Sequence, residues 1–100
     1  MVKLIALYKK PQDAATFDQV YFGEHIPVVK TWPGLRRTEI NRVTGSLMGE
    51  PEYYLTASMY FDDVDALNKA LASEQGREAA RSLRKLGAEL TLFTADVEEM

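Results

Sequence analysis

Phe17-Asp-Gln-Val-Tyr-Phe-Gly-Glu-His-Ile-Pro-Val-Val-Lys-Thr-Trp-Pro-Gly-Leu-Arg-Arg37 is the stretch that decides the fold, because it reads as an amphipathic helix that hands straight over to a strand. Phe17, Val20, Tyr21, Val28 and Trp32 recur at helical spacing on one side, the pattern of a helix that buries one stripe against another layer. Pro27 should kink or tighten the helix near its end, since its ring removes an N–H and crowds the preceding turn. Pro33-Gly34 terminates it. Among the apolar positions falls His25, the only histidine of the chain. An imidazole is the one group here whose unperturbed pKa lies near neutrality, so proton or hydrogen-bond chemistry would most naturally use it.

The neighbouring segments can be placed by period. Val2 to Lys9 is a strand with apolar residues on both sides, Val2, Leu4, Ala6 and Tyr8 alternating with Ile5 and Leu7, as a central strand requires. Pro11-Gln12-Asp13 breaks it, and Thr16 followed by Gln19 has the spacing of a capping box that starts the first helix. Leu35 to Val43 is a second strand and Tyr53 to Phe61 a third, joined by the hairpin loop Thr44-Gly-Ser-Leu-Met-Gly-Glu-Pro51. Asp62 and Asp63 can cap a helix with Val64, Leu67 and Leu71 on its inner face. Ser73 caps a shorter one carrying Ala79, Ala80, Leu83 and Leu86; Gly87 stops it, and Leu90 to Val97 is the last strand.

The order βαββαβ is the split ferredoxin-like unit of the α+β class, with a four-stranded antiparallel sheet and its helices on one face. Residues 1–100 form a single domain, long enough to bury roughly 65% of the unfolded surface without metals or disulfides. The other sheet face is then left bare. Strand three sets Leu55, Ala57, Met59 and Phe61 against Tyr54, Thr56, Ser58 and Tyr60, so neither side suits exposure. Packing two such sheets face to face in a twofold homodimer would bury the bare one, with an expected interface of ~1,200 to 2,000 Å².

The run from Phe17 to Arg37 resembles the EthD family, small ferredoxin-like proteins of the dimeric α+β barrel superfamily, whose members typically carry a helix ending in His-x-Pro and then Pro-Gly-Leu-Arg-Arg leading into a strand. Val2-Lys-Leu-Ile-Ala-Leu-Tyr-Lys-Lys-Pro11, Tyr53-Tyr-Leu-Thr-Ala-Ser-Met-Tyr-Phe61 and Ser73-Glu-Gln-Gly76 look like further EthD landmarks, so the resemblance covers nearly the whole chain. It implies a barrel-like dimer and an EthD-like small-molecule enzyme or accessory protein, with an oxidoreductase-type role in oxidative catabolism. Two positions depart from the pattern: Thr38 stands where relatives often place a tyrosine, and Ser82 where they often place an aspartate. In a related lactone methyl-isomerase the histidine and that tyrosine both belong to the site. A chain that keeps only His25 is thereby implied to bind a ligand without performing that isomerisation.

Composition narrows the chemistry. The chain has no cysteine, hence no disulfide, thiolate nucleophile or Cys-based metal site, which suits a reducing cytoplasm. The amino terminus breaks after five apolar residues without a small-residue cleavage site, and no segment approaches the ~20 apolar residues of a membrane span. With 15 acidic against 12 basic residues there is no electrostatic reason to expect nucleic-acid binding. Gly-x-Ser-x-Gly, His-Glu-x-x-His and dinucleotide fingerprints are absent, so no cofactor is called for.

What remains is a small, mostly apolar pocket between the first helix and the sheet. In it His25 would remove or donate a proton beside a polarised carbonyl, and Tyr8, Tyr21, Trp32 and Tyr60 would contact an aromatic, lactone or polyketide-like ligand. Each has a plainer alternative: a core histidine fixed by a carbonyl or carboxylate, tyrosines that merely pack, and a tryptophan that plugs the helix end. Arg36, Arg37 and Arg42 suggest cross-strand ion pairs or, more sharply, a bound carboxylate. For the whole protein the alternative is a non-catalytic dimeric ligand-binding or stress-related module of the same fold.

Overall fold

The computed structural model describes residues Met1–Met100. Strands β1 (Val2–Lys9), β2 (Arg37–Arg42), β3 (Tyr53–Phe61) and β4 (Leu90–Asp96) form one antiparallel sheet in the order β2-β3-β1-β4. The two strands with apolar residues on both sides take the centre. Leu4, Ala6 and Tyr8 pair with Met59, Ala57 and Leu55, and all six are buried beneath the helices together with Phe61. The β2 ladder is shorter than the apolar run suggests, although Arg36 and Val43 just outside it still donate to the Tyr60 and Tyr54 carbonyls at 2.8 and 3.1 Å.

The first crossover is one helical rod in three pieces: α1 (Ala14–Val20), a wide π-turn (Tyr21–His25) and α2 (Ile26–Val29). It starts three residues earlier than the capping-box reading. Asp13, in extended conformation, caps it by accepting from the Thr16 N–H at 3.2 Å, as a carboxylate at an N-cap does. Pro27 loosens the rod instead of tightening it. The Ile26 N–H reaches back to the Tyr21 carbonyl, one residue further than in an α-helix, just before the proline that brings no N–H of its own. The wide turn takes up an extra residue and delays the phase of everything after it by about 100°. Val29 and Ile26 are therefore buried where regular spacing pointed to Val28, which is only half-buried.

The second crossover breaks at Ser73 into α3 (Val64–Ala72) and α4 (Glu74–Leu83). One hydroxyl serves both helices: Ser73 Oγ donates to the Ala70 carbonyl at 2.5 Å and accepts from the Gly76 N–H at 3.0 Å. Asp63 caps α3 through the Ala66 N–H at 2.8 Å. Leu67 and Ala70 form the buried stripe of α3, whereas Val64 and Leu71 are 54% and 40% exposed.

The bare sheet face is more polar than alternation alone implied. A register shift between Tyr8 and Lys9 turns Tyr54 to the helix side, where its ring meets Phe17 edge-on at 5.3 Å and its hydroxyl donates to Asp18 at 2.9 Å. The face that remains carries Ile5, Leu7 and Phe93, beside a polar half in which Lys3 and Arg37 lie 5.3 and 5.1 Å from the Tyr60 ring centroid.

Candidate active site

A cavity of about 90 Å³ lies between the helix side of the sheet and α4, lined by Leu4, Ala6, Tyr8, His25, Trp32, Met59, Leu71, Gly76, Ala79, Ala80, Leu83 and Leu92. Ten of these twelve are hydrophobic, and none is a formal cation or carboxylate, so the space suits a neutral ligand. Leu71 and Leu92, 40% and 49% exposed, form part of its mouth. A larger hollow beside Val2, Val64 and Thr94 has only Asp96 as an ionisable group.

His25 is the cavity's imidazole. It is 6% exposed and sits at the end of an aromatic column, stacked on Tyr21 at 5.4 Å, which is itself stacked on Phe17 at 5.3 Å. The spacing of four residues along the rod builds that column. Its Nδ1 lies 2.7 Å from Ser82 Oγ on α4, and Ser82 Oγ donates to the Ala79 carbonyl at 2.8 Å. Burial pulls the imidazole below its ordinary pKa, a shift only partly offset by the Ala79 carbonyl, so the ring is neutral at physiological pH.

Tyr8 and Tyr21 meet edge-on at 5.3 Å. Burial raises both phenols well above their ordinary value, and their interaction with one another is a lesser influence. Tyr8 lines the cavity, while Tyr21 stands behind the imidazole as its stacking partner. Trp32 walls the cavity, and it also ties the first rod to α4 by donating Nε1–H to the Gln75 carbonyl at 3.2 Å. Tyr60 does not join the others. Strand alternation puts it on the opposite sheet face, between Lys3 and Arg37.

Ser82 is the residue sequence reasoning missed. Its only signal was its place in the position where relatives often carry an aspartate. Thr38, the other departure, faces the helix side next to Met59, with its hydroxyl buried and unpartnered. The three arginines are all engaged by carboxylates: Arg36 with Asp62 at 3.0 and 2.7 Å, Arg42 with Asp18 at 3.0 Å, and Arg37 with Glu39. None lines the cavity. Asp62, Asp63 and Asp65 do not converge, and no group of three or more His, Cys, Asp or Glu side chains is placed to hold a metal ion.

The fold and site define a small ferredoxin-like domain with one imidazole in an apolar cavity. The chain belongs to the EthD family, whose domain matches residues 9–85. It is similar to an ethyl tert-butyl ether D (EthD) family protein from Bacillus halodurans, 41% identical with a TM-score of 0.90, the match covering 100% of this chain and 99% of that one. It is also similar to an uncharacterised 11.0 kDa protein from the thcB–thcC intergenic region of Rhodococcus erythropolis, 29% identical over 94% of this chain and 93% of the other. A cofactor-independent oxygenase from Streptomyces nogalater shares the fold, with a TM-score of 0.73 at 19% identity over 99% and 94% of the two chains. No helix is long and apolar enough to cross a membrane.

Proposed function

We propose that this EthD-family protein is a homodimeric small-molecule enzyme or accessory protein that holds an apolar aromatic, lactone or polyketide-like metabolite over His25, in an oxidative catabolic role within the cytoplasm. The observation that carries the reading is the neutral imidazole set into an otherwise apolar cavity with a phenol beside it. His25 acts as general base or hydrogen-bond anchor, Tyr8 and Trp32 contact the ligand, and Tyr21 stacks behind the imidazole. At about 90 Å³ the cavity is smaller than the ~150 Å³ that holds benzene, so a ring enters only in part and the ligand extends past Leu71 and Leu92. The oxidative role draws on family resemblance and on the shared fold of the oxygenase.

Titrating the single histidine's NMR signals with monocyclic lactones, phenols and quinones tests this. A ligand-dependent shift, lost together with binding in His25→Gln, supports it. An imidazole that responds to none of them overturns it.

A second reading, a binding module without turnover, is favoured by Ser82 and Thr38. Both are neutral hydroxyls, so neither supplies the carboxylate or the phenol that relatives often place there. Binding of a ligand that is recovered chemically unchanged after long incubation, with and without air, selects this reading over the first.

A further inference from the structure

We propose that Ser82 fixes His25 as its Nδ1–H tautomer, so that Nε2 meets the cavity as a bare acceptor and the site selects neutral ligands that donate an O–H, phenols and enols, over carbonyl compounds that only accept. The inference rests on reading the cavity as a ligand site and narrows its ligand class.

The argument is one of counting hydrogens. A serine hydroxyl has a single hydrogen, and a backbone carbonyl can only accept. Ser82 Oγ lies 2.8 Å from the Ala79 carbonyl, and we assign its hydrogen there, since donating it to Nδ1 instead would leave two oxygens at that distance with no hydrogen between them. Toward His25 Nδ1, at 2.7 Å, the same oxygen has only lone pairs left, so the hydrogen of that bond belongs to Nδ1. A neutral imidazole carries one N–H. Nε2 is therefore unprotonated.

The surroundings say which way it looks. Ser82 does not line the cavity; with Glu24, Val28, Glu78, Arg81 and Lys85 it lines a charged groove between the first rod and α4. The hydroxyl is the partition between the two spaces, with Nδ1 turned toward it. Nε2 has no hydrogen-bond partner in the protein, and it is not an enclosed, unpartnered atom, a description that fits Thr38 Oγ1 alone. Its lone pair thus opens onto the cavity. A hydroxyl also adds no charge, so it holds the tautomer without stabilising the imidazolium as a carboxylate would.

The single histidine makes the test unambiguous. In ligand-free protein labelled with ¹⁵N in the imidazole, at alkaline pH where the ring is neutral, Nδ1 should resonate as a protonated nitrogen and Nε2 as a lone-pair nitrogen. Ser82→Ala should lose that preference, and Ser82→Thr, which keeps the hydroxyl, should retain it. Phenol should bind the wild type about tenfold more tightly than it binds Ser82→Ala, and about tenfold more tightly than anisole binds the wild type, each the equivalent of one hydrogen bond. A protonated Nε2 in the wild type, an unchanged tautomer in Ser82→Ala, or anisole binding as well as phenol overturns the inference. The Nδ1–H tautomer with no response to any ligand upholds Ser82's hold on the ring and removes the ligand-site reading instead.

Discussion

Gly76 lies flush against the carbonyl oxygen of Ala70, so closely that a β-carbon on Gly76 has no room, and the Leu71 oxygen would stand only 2.6 Å from it. The obstacle is helix backbone, which cannot swing aside as a side chain can. Gly76→Ala should cost about 3 kcal/mol or more, because α4 must move off the end of α3. Ser73→Ala at the same junction removes a cap and should cost about 1–2 kcal/mol. Urea unfolding midpoints rank the two, and a Gly76→Ala midpoint equal to the wild type's would refute the packing described here.

Thr38 offers the opposite sign. Its buried hydroxyl has no partner, so the fold bears a desolvation penalty with no bond in return. Thr38→Val keeps the β-branched shape and should stabilise by about 1 kcal/mol. Thermal unfolding checks it; a clear loss of stability would mean the hydroxyl has a partner after all.

Stability should fall on acidification. Burial holds His25 below its ordinary value of 6.5, so the unfolded chain takes up the proton first. The contribution is whole above that value, declines as pH drops from it toward the folded pKa, and is gone below the latter. Tyr8 and Tyr21 work in the other direction. Their folded values lie above the ordinary 10.0, so their contribution is complete below that and is lost as pH rises beyond it. Denaturation across pH should give a plateau between the two limbs. His25→Gln should flatten the acid limb and leave the alkaline one.

Association tests the bare sheet face. Phe93 is 44% exposed there, opposite Ile5. Phe93→Asp places a charge in the proposed interface with no cation known to answer it, and should convert dimer to monomer in sedimentation at micromolar concentration. Tyr60→Asp should have the weaker effect, since Lys3 and Arg37 already flank that position. A wild type that sediments as a stable, soluble monomer would dispose of the barrel dimer.

Legibility from sequence followed how local each determinant is. The span of β3 and the caps at Asp63 and Ser73 are matters of alternation and of short-range side-chain-to-backbone bonds, and the residues state them directly. The first helix starts three residues before the point that Thr16 and Gln19, which mimic a capping box, suggest, because Asp13 caps the Thr16 N–H from one turn back. Val28 and Val29 exchange roles because regular spacing contains no wide turn. Residue type alone groups Tyr60 with Tyr8, although its own strand's period places it on the other face. Ser82 meets His25 across 57 positions of chain, and no local pattern carries that contact. The single imidazole, the phenol of Tyr8 and the indole of Trp32 were legible because few residues of those types compete for the role.

The wide turn at Tyr21–His25 also bears on how this chain compares with its kin. It amounts to a one-residue insertion absorbed within a helix: a rod lacking one residue there would run as an unbroken α-helix and still bring the same side chains inward. Related chains with and without that residue can therefore build one and the same site. Matching them position by position will slip by one beyond it unless a gap is opened between Tyr21 and His25.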